Sequence, residues 1–216
     1  MRRTVPIAAL GALLLASSSH AASVDVSVVD QSGHPLPDAI VELIPAASQP
    51  PAPTALAQES IVDQRRETFF PLVSLVPMGG DIVFTNHDTT MHQVYSFSAI
   101  KQFALEVDQG QRSRAVVFEK PGIAAIGCNI HDQMITYVYV ARSPWTVRTD
   151  ASGYARIATI PPGSYRATIW HPHLPAGQAP SVVSLVVAGD RAELKTSLPV
   201  HGSDQAPKKS KHMDMY

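Results

Sequence analysis

The chain is short of most things that catalytic and nucleic-acid-binding proteins are built from. Its 216 residues hold one cysteine, Cys128, and only 16% are charged, with 17 Lys and Arg against 18 Asp and Glu. A balance that even supplies no basic surface of the kind a phosphate backbone requires, which excludes nucleic acid as a partner. No Ser/His/Asp set, paired-carboxylate motif or Gly-rich phosphate loop is present, so a hydrolase or kinase has no support. Neither Asn86 nor Asn129 opens an Asn-x-Ser/Thr sequon, which fits a bacterial periplasm. Past the first residues no apolar run approaches about 18 residues, so no membrane span is expected there.

What stands at the start is a leader. Arg2-Arg3 form a basic n-region, Val5 to Ala16 is apolar apart from Pro6 and Gly11, and Ser19-His20-Ala21 offers small residues at the cleavage positions. Residues 1–21 therefore read as a cleaved secretory signal peptide, the alternative being an uncleaved anchor, and the protein is expected in the periplasm. Loss of Arg2 and Arg3 lowers the basic count from 17 to 15 and takes the formal charge from −1 to −3. A lone cysteine in an exported chain cannot close an internal disulfide. It is a reactive thiol, an intermolecular pair or a metal ligand.

The residues around it favour the ligand. In Gly127-Cys128-Asn129-Ile130-His131-Asp132-Gln133-Met134 a thiolate, an imidazole and a thioether follow one another as Cys-x2-His-x2-Met. A loop that short can aim all three at one ion if the cysteine ends a strand and the methionine precedes the next. With His92, 36 positions upstream, the set becomes one thiolate, two imidazoles and a weak axial thioether, which is the donor set of an electron-transfer copper site. Zinc wants four strong donors and gains little from a thioether. The competing reading is that Cys128 and Met134 are soft core residues with His131 between them by chance.

The flanks resemble a cupredoxin. Gly79-Gly80-Asp81 leads into the apolar run Ile82-Val83-Phe84, then Asn86-His87-Asp88 and His92. Ala115 to Glu119 reads as a strand, Lys120-Pro121-Gly122 as a turn, and Ile123 to Cys128 and Ile135 to Ala141 as strands. The ligand-loop spacing is that of amicyanin among plastocyanin-like blue copper proteins. Over residues 24–200 the chain resembles exported proteins of the "methylamine utilization protein" group, through Tyr95-Ser96-Phe97-Ser98, Lys120-Pro121-Gly122, the Cys128 loop and Trp170-His171-Pro172. It departs from amicyanin in lacking prolines in the ligand loop and in carrying Asp132 beside His131. The resemblance implies that copper is held by His92, Cys128, His131 and Met134, with the Gln93 N–H donating to the sulfur and Asn86 stiffening the loop that carries His92. It also implies that His131 is the exposed ligand with Met91 and Ile130 beside it, and that a redox protein, of the c-type cytochrome or dehydrogenase kind, is the partner.

A second β-unit is expected around the first. Val24, Val26 and Val28 alternate, Asp30-Gln31-Ser32-Gly33 turns the chain, and Val41 and Leu43 resume the alternation. The string Gly33-His34-Pro35-Leu36-Pro37-Asp38-Ala39 resembles the opening of a carboxypeptidase regulatory-like domain, a small transthyretin-like sandwich. Its continuation is found only after the copper segment, from Thr149-Asp150-Ala151-Ser152-Gly153 through Tyr165, with strands at 165–170, 182–187 and 192–198. The fold class expected is all-β: a cupredoxin Greek-key sandwich at 59–142 inserted into a discontinuous regulatory-like sandwich at 24–45 plus 147–199. The alternative is that 24–45 adds strands to the cupredoxin. Residues 46–58 read as linker, 99–107 as a helical turn or two, and 201–216, with Lys208, Lys209 and Lys211, as a disordered tail. His87 is a weaker alternative to His92. His171 with His173, and His212 with Met213 and Met215, are candidates for a second metal.

Three functions stay open on the sequence: an electron carrier, a copper carrier or sensor that exchanges the metal, and a copper enzyme. The third would need a second centre and an open coordination position, neither clearly supplied, so no enzyme is expected.

Overall fold

The computed structural model describes residues 21–47 and 59–200. Nearly all of the expected leader and linker, and the whole tail with its Lys208, Lys209, Lys211, His212, Met213 and Met215, lie outside the described residues. Within them every element is a strand: β1 (Ala22–Val29), β2 (Ile40–Pro45), β3 (Glu59–Gln64), β4 (Phe69–Phe70), β5 (Val73–Pro77), β6 (Asp81–Asn86), β7 (His92–Ser98) and β8 (Lys101–Val107). The chain continues with β9 (Val116–Val117), β10 (Gly122–Cys128), β11 (Ile135–Ala141), β12 (Thr146–Arg148), β13 (Tyr154–Ile160), β14 (Gly163–Trp170), β15 (Ser181–Val187) and β16 (Arg191–Ser197). The protein is all-β. No helix among the described residues is long and apolar enough to cross a membrane.

The strands make four sheets around two cores. Sheets β13-β1-β16 and β12-β2-β14-β15 enclose one core, built on Val24, Val26, Val41, Leu43, Ile157, Tyr165 and Ile169. Sheets β4-β3-β6-β9 and β5-β11-β10-β7-β8 enclose the other, built on Val62, Phe84, Val94, Phe118, Ile126 and Val138. The first two strands thus pair with four of the last five, β12, β13, β14 and β16, and β15 joins through β14. Val26 lies opposite Ala155 across β1–β13, and Val41 opposite Ile169 across β2–β14. Alternation explains the buried face of each strand, since successive side chains point to opposite sides. One close approach requires glycine: Gly153 has φ +69°, and a Cβ there would stand 2.5 Å from the Val28 carbonyl oxygen.

Residues 99–107 are not helical. β8 pairs antiparallel with β7, His92 opposite Val107 and Ser98 opposite Lys101, and its Phe103, Leu105 and Val107 turn onto the central core. The two-residue alternation of those apolar side chains is a strand signal, and the open edge of the sheet gives it a partner. The strand expected at 115–119 is cut to Val116–Val117, paired with Asp81 and Ile82.

A third cluster joins the two cores. Ile40 and Trp170 from one sandwich meet Val73, Tyr139 and Ala141 from the other, with the Trp170 ring centroid 5.6 Å from Tyr137 and 6.0 Å from Tyr139. At its edge the buried Glu42 carboxylate accepts from the Tyr139 hydroxyl (3.0 Å), the Arg142 N–H (2.6 Å) and the Ser143 N–H (3.0 Å). Burial and the neighbouring Glu42 charge both push the Tyr139 hydroxyl far above its ordinary pKa. It is therefore a fixed donor to that carboxylate.

Candidate metal centre

Three strand ends and one hairpin meet at one end of the central sandwich. β10 stops at Cys128, β11 starts at Ile135, and the six residues between form a short loop closed by the Met134 N–H donating to the His131 carbonyl at 3.0 Å. β7 runs beside β10 with Val94 opposite Cys128, which brings its first residue, His92, alongside the sulfur. The loop is tied to β7 at Gln93, whose carbonyl accepts from the Asn129 N–H and whose side-chain Oε1 accepts from Asn129 Nδ2, both at 2.9 Å.

The result is a compact donor set. One ligand atom each from His92, Cys128 and His131 lies within 4.8 Å of the others. His92 Nδ1 is 3.5 Å from Cys128 Sγ, and the two imidazole centroids are 5.2 Å apart at an interplanar angle of 53°. His92 and Cys128 are buried, at 0% and 2% exposure, whereas the His131 side chain keeps 24%. Met134, the last residue of the loop, is buried in the same central core as Cys128, so all four sequence candidates lie at this end of the sandwich. His131 Nδ1 is buried and has no hydrogen-bond partner. An unpaired buried acceptor is costly in a folded protein, and a cation offers the partner it lacks. Metal–N and metal–S bonds of about 2.0–2.3 Å put donors roughly 3.5–4 Å apart, close to the spacing present. The residues fit a metal ion.

His87 is elsewhere. It is exposed, with Nδ1 2.5 Å from Asp63 Oδ1. Asn86 instead builds the loop ahead of His92: its Nδ2 donates to the carbonyls of Thr90 and Val107, each at 2.8 Å, and its Oδ1 accepts from the Asp88 N–H at 2.9 Å. Asp88 Oδ2 then sits 3.0 Å from His92 Nε2. A carboxylate on the outer nitrogen places the proton there and leaves Nδ1 as a lone pair aimed at the sulfur side. Burial pushes the Asp88 carboxyl up, but hydrogen bonds from the Glu67 N–H, His92 and the Arg66 N–H outweigh it, so the group lies below its ordinary value. The Asp88 side of His92 was not legible as a partner in the sequence, although the four-residue spacing is.

In the second candidate pair, His171 has another use. His171 Nε2 donates to the Pro37 carbonyl (3.0 Å) and its Nδ1 accepts from the His173 N–H (3.1 Å), so both ring nitrogens are engaged within the fold. His171 is a brace between β14 and the segment ahead of β2.

No protein-family model matches the sequence, and the comparison with curated proteins gives no match. Solved structures similar to part of the chain include a purple cupredoxin from Nitrosopumilus maritimus, at 22% identity and a TM-score of 0.34 over 38% of this chain and 99% of that one. Amicyanin from Paracoccus versutus is similar at 17% identity and a TM-score of 0.34, over 46% of this chain and 97% of that one. The copper-containing nitrite reductase of Thermus scotoductus SA-01 is similar at 21% identity and a TM-score of 0.36, over 54% of this chain and 28% of that one.

Proposed function

We propose that the protein is an exported, periplasmic copper protein that carries single electrons through a centre made by His92, Cys128 and His131, with Met134 as the weak fourth donor. The observation that carries the reading is the convergence of two imidazoles and the chain's one thiol on a point where His131 Nδ1 is buried and unpartnered. A thiolate with two imidazoles and a thioether selects copper over zinc, calcium or magnesium. Bound copper would supply a one-electron Cu(I)/Cu(II) couple, the electron being taken from one redox partner protein and given to another.

The chain's own residues set the conditions. Cys128 and His92 are held from the strand ladder and exclude water from one side. Asn86 fixes the loop that presents His92, and Asp88 fixes the tautomer of its ring. Rigid donors lower the cost of changing oxidation state. The His131 edge, next to Ile130 at 45% exposure, is the place for a redox partner to approach. We also propose that residues 59–142 form an inserted copper domain and that residues 24–45 and 147–199 form one interrupted regulatory-like sandwich. The β1–β13 and β2–β14 pairings and their shared core support this division over one in which 24–45 extends the copper domain.

The test is metal analysis with visible spectroscopy of the purified protein. One copper per chain and an intense thiolate-to-Cu(II) charge-transfer band are expected, and Cys128→Ser should abolish the band because a hydroxyl is a poor soft donor. A colourless wild-type Cu(II) form would overturn the electron-carrier assignment. Copper that exchanges rapidly with a competing chelator would favour metal delivery instead.

A further inference from the structure

Each imidazole of the cluster has a carboxylate behind it. His92 Nε2 faces Asp88 Oδ2 at 3.0 Å, and His131 Nε2 faces Glu67 Oε1 at 3.5 Å. Glu67 comes from a distant part of the chain. It sits in the hairpin between β3 and β4, where Arg65 and Thr68 exchange backbone hydrogen bonds of 3.1 and 3.2 Å around Arg66-Glu67.

That turn is strained. Arg66 and Glu67 both have φ +54°, the two-residue hairpin geometry that Asn-Gly normally supplies. A residue with a β-carbon is disfavoured there by about 1–2 kcal/mol, so something must hold the pair in place. What holds it is Asp88. Its Oδ1 accepts from the Arg66 N–H, and its Oδ2 accepts from the Glu67 N–H at 3.0 Å while facing His92. One carboxylate thus orients the buried imidazole and fixes the turn that delivers a second carboxylate to the half-buried one. Backbone strain maintained next to a donor cluster is a sign of a functional constraint.

We propose that Glu67 is a positioning residue for His131: it holds the proton on Nε2, keeps Nδ1 free and directed at the cluster, and adds negative charge beside the centre. The inference rests on the metal reading of the same site. A neutral imidazole has one N–H; a carboxylate 3.5 Å from Nε2 favours the proton on that nitrogen electrostatically, and this tautomer presents a lone pair at Nδ1. His131 Nδ1 is buried and has no hydrogen-bond partner, which suits a free lone pair there. The Glu67 side chain is 67% exposed, so it works through a solvent-accessible contact and its effect is smaller than that of the half-buried Asp88, whose side chain keeps 13%. Negative charge at the outer nitrogen favours the more positive Cu(II) form and lowers the reduction potential.

The experiment uses full-length protein with Glu67→Gln, which keeps an acceptor oxygen but no charge, and Glu67→Ala, which keeps neither. Both retain a β-carbon, so the turn strain is unchanged. In the metal-free protein, long-range 15N–1H NMR of the His131 ring should show Nε2–H dominant in wild type, a several-fold rise of the Nδ1–H form in Glu67→Ala, and an intermediate value in Glu67→Gln. In the copper-loaded protein both variants should still bind one copper. The preference for Cu(II) over Cu(I) should fall up to about tenfold in Glu67→Ala, which for a one-electron couple raises the potential by about 59 mV. Tautomer populations and a copper preference in Glu67→Ala equal to those of wild type would overturn the proposal. If wild type takes up no copper, the metal reading fails, and the metal-free NMR comparison alone decides whether Glu67 holds the ring.

Discussion

Histidine does two opposite jobs in this chain, and the difference lies in what each ring nitrogen meets. His92 keeps Nδ1 toward the thiol and gives Nε2 to Asp88, and His131 leaves Nδ1 unpartnered with Nε2 3.5 Å from Glu67, whereas His171 spends both nitrogens on backbone groups. Burial first, and then the neighbouring His173, push the His171 pKa from 6.5 down to about 4. Asp38, which interacts with His173, lies in the same surroundings with its own pKa raised by burial. The sign follows from linkage. An unfolded His171 takes a proton near its ordinary value while the folded one refuses it, so the folded state has its full stability above that value. Stability should fall as pH drops from 6.5 toward 4 and then cease to change on this account. The loss is about 3 kcal/mol at 1.36 kcal/mol per unit. Urea unfolding at pH 7 and at pH 4.5 should show it, and a His171→Asn variant, which cannot take up that proton, should have a flatter profile. Parallel profiles for the two proteins would assign the acid sensitivity to other groups.

At the scale of the element, the loop between β6 and β7 carries more of the site than its length suggests. Asn86, at 1% exposure, makes three hydrogen bonds that shape this loop, and Asp88 within it reaches both His92 and the β3–β4 turn. Asn86→Ala would leave the Thr90 and Val107 carbonyls and the Asp88 N–H without their partner. The expected cost is about 2–4 kcal/mol of stability. Because the loop also sets the position of His92, the same variant should broaden the copper charge-transfer band and weaken copper binding. An unchanged spectrum together with lowered stability would mean that the β7 ladder alone holds His92. The segment at 99–107 belongs to this scale as well. Read in isolation it could coil, but pairing with β7 and burial of Phe103, Leu105 and Val107 make it an edge strand.

For the whole molecule, the two sandwiches meet across one contact region. The Ile40, Val73, Tyr139, Ala141 and Trp170 cluster supplies apolar contact, and Glu42 supplies direction, since its donors come from Tyr139 in one sandwich and from the connection leaving it. The Arg148 guanidinium adds a bond to the Val73 carbonyl. Glu42→Ala would strand a buried phenol and two N–H groups, at about 3 kcal/mol or more. Denaturant unfolding followed by tryptophan fluorescence and by copper colour should be coincident in wild type and separate in this variant. Coincidence in both would show that the apolar cluster couples the sandwiches without the carboxylate.

The sequence by itself determined the local features. Alternating Val24, Val26 and Val28, and the short apolar runs around Cys128, required an all-β chain, because that period buries one face of a strand and no other element. Cys-x2-His-x2-Met placed three soft or borderline donors in one loop, because six residues between strands cannot carry them far apart. The tertiary structure decided what is distant in sequence. Pairing of β7 with β10 puts His92 Nδ1 at 3.5 Å from the sulfur, and nothing near Arg66-Glu67 signals a tight turn, since neither residue prefers positive φ. Glu67 and Glu42 look like ordinary surface acids in the sequence. Their roles exist only because folding carries backbone N–H groups, a phenol and an imidazole to them from elsewhere in the chain.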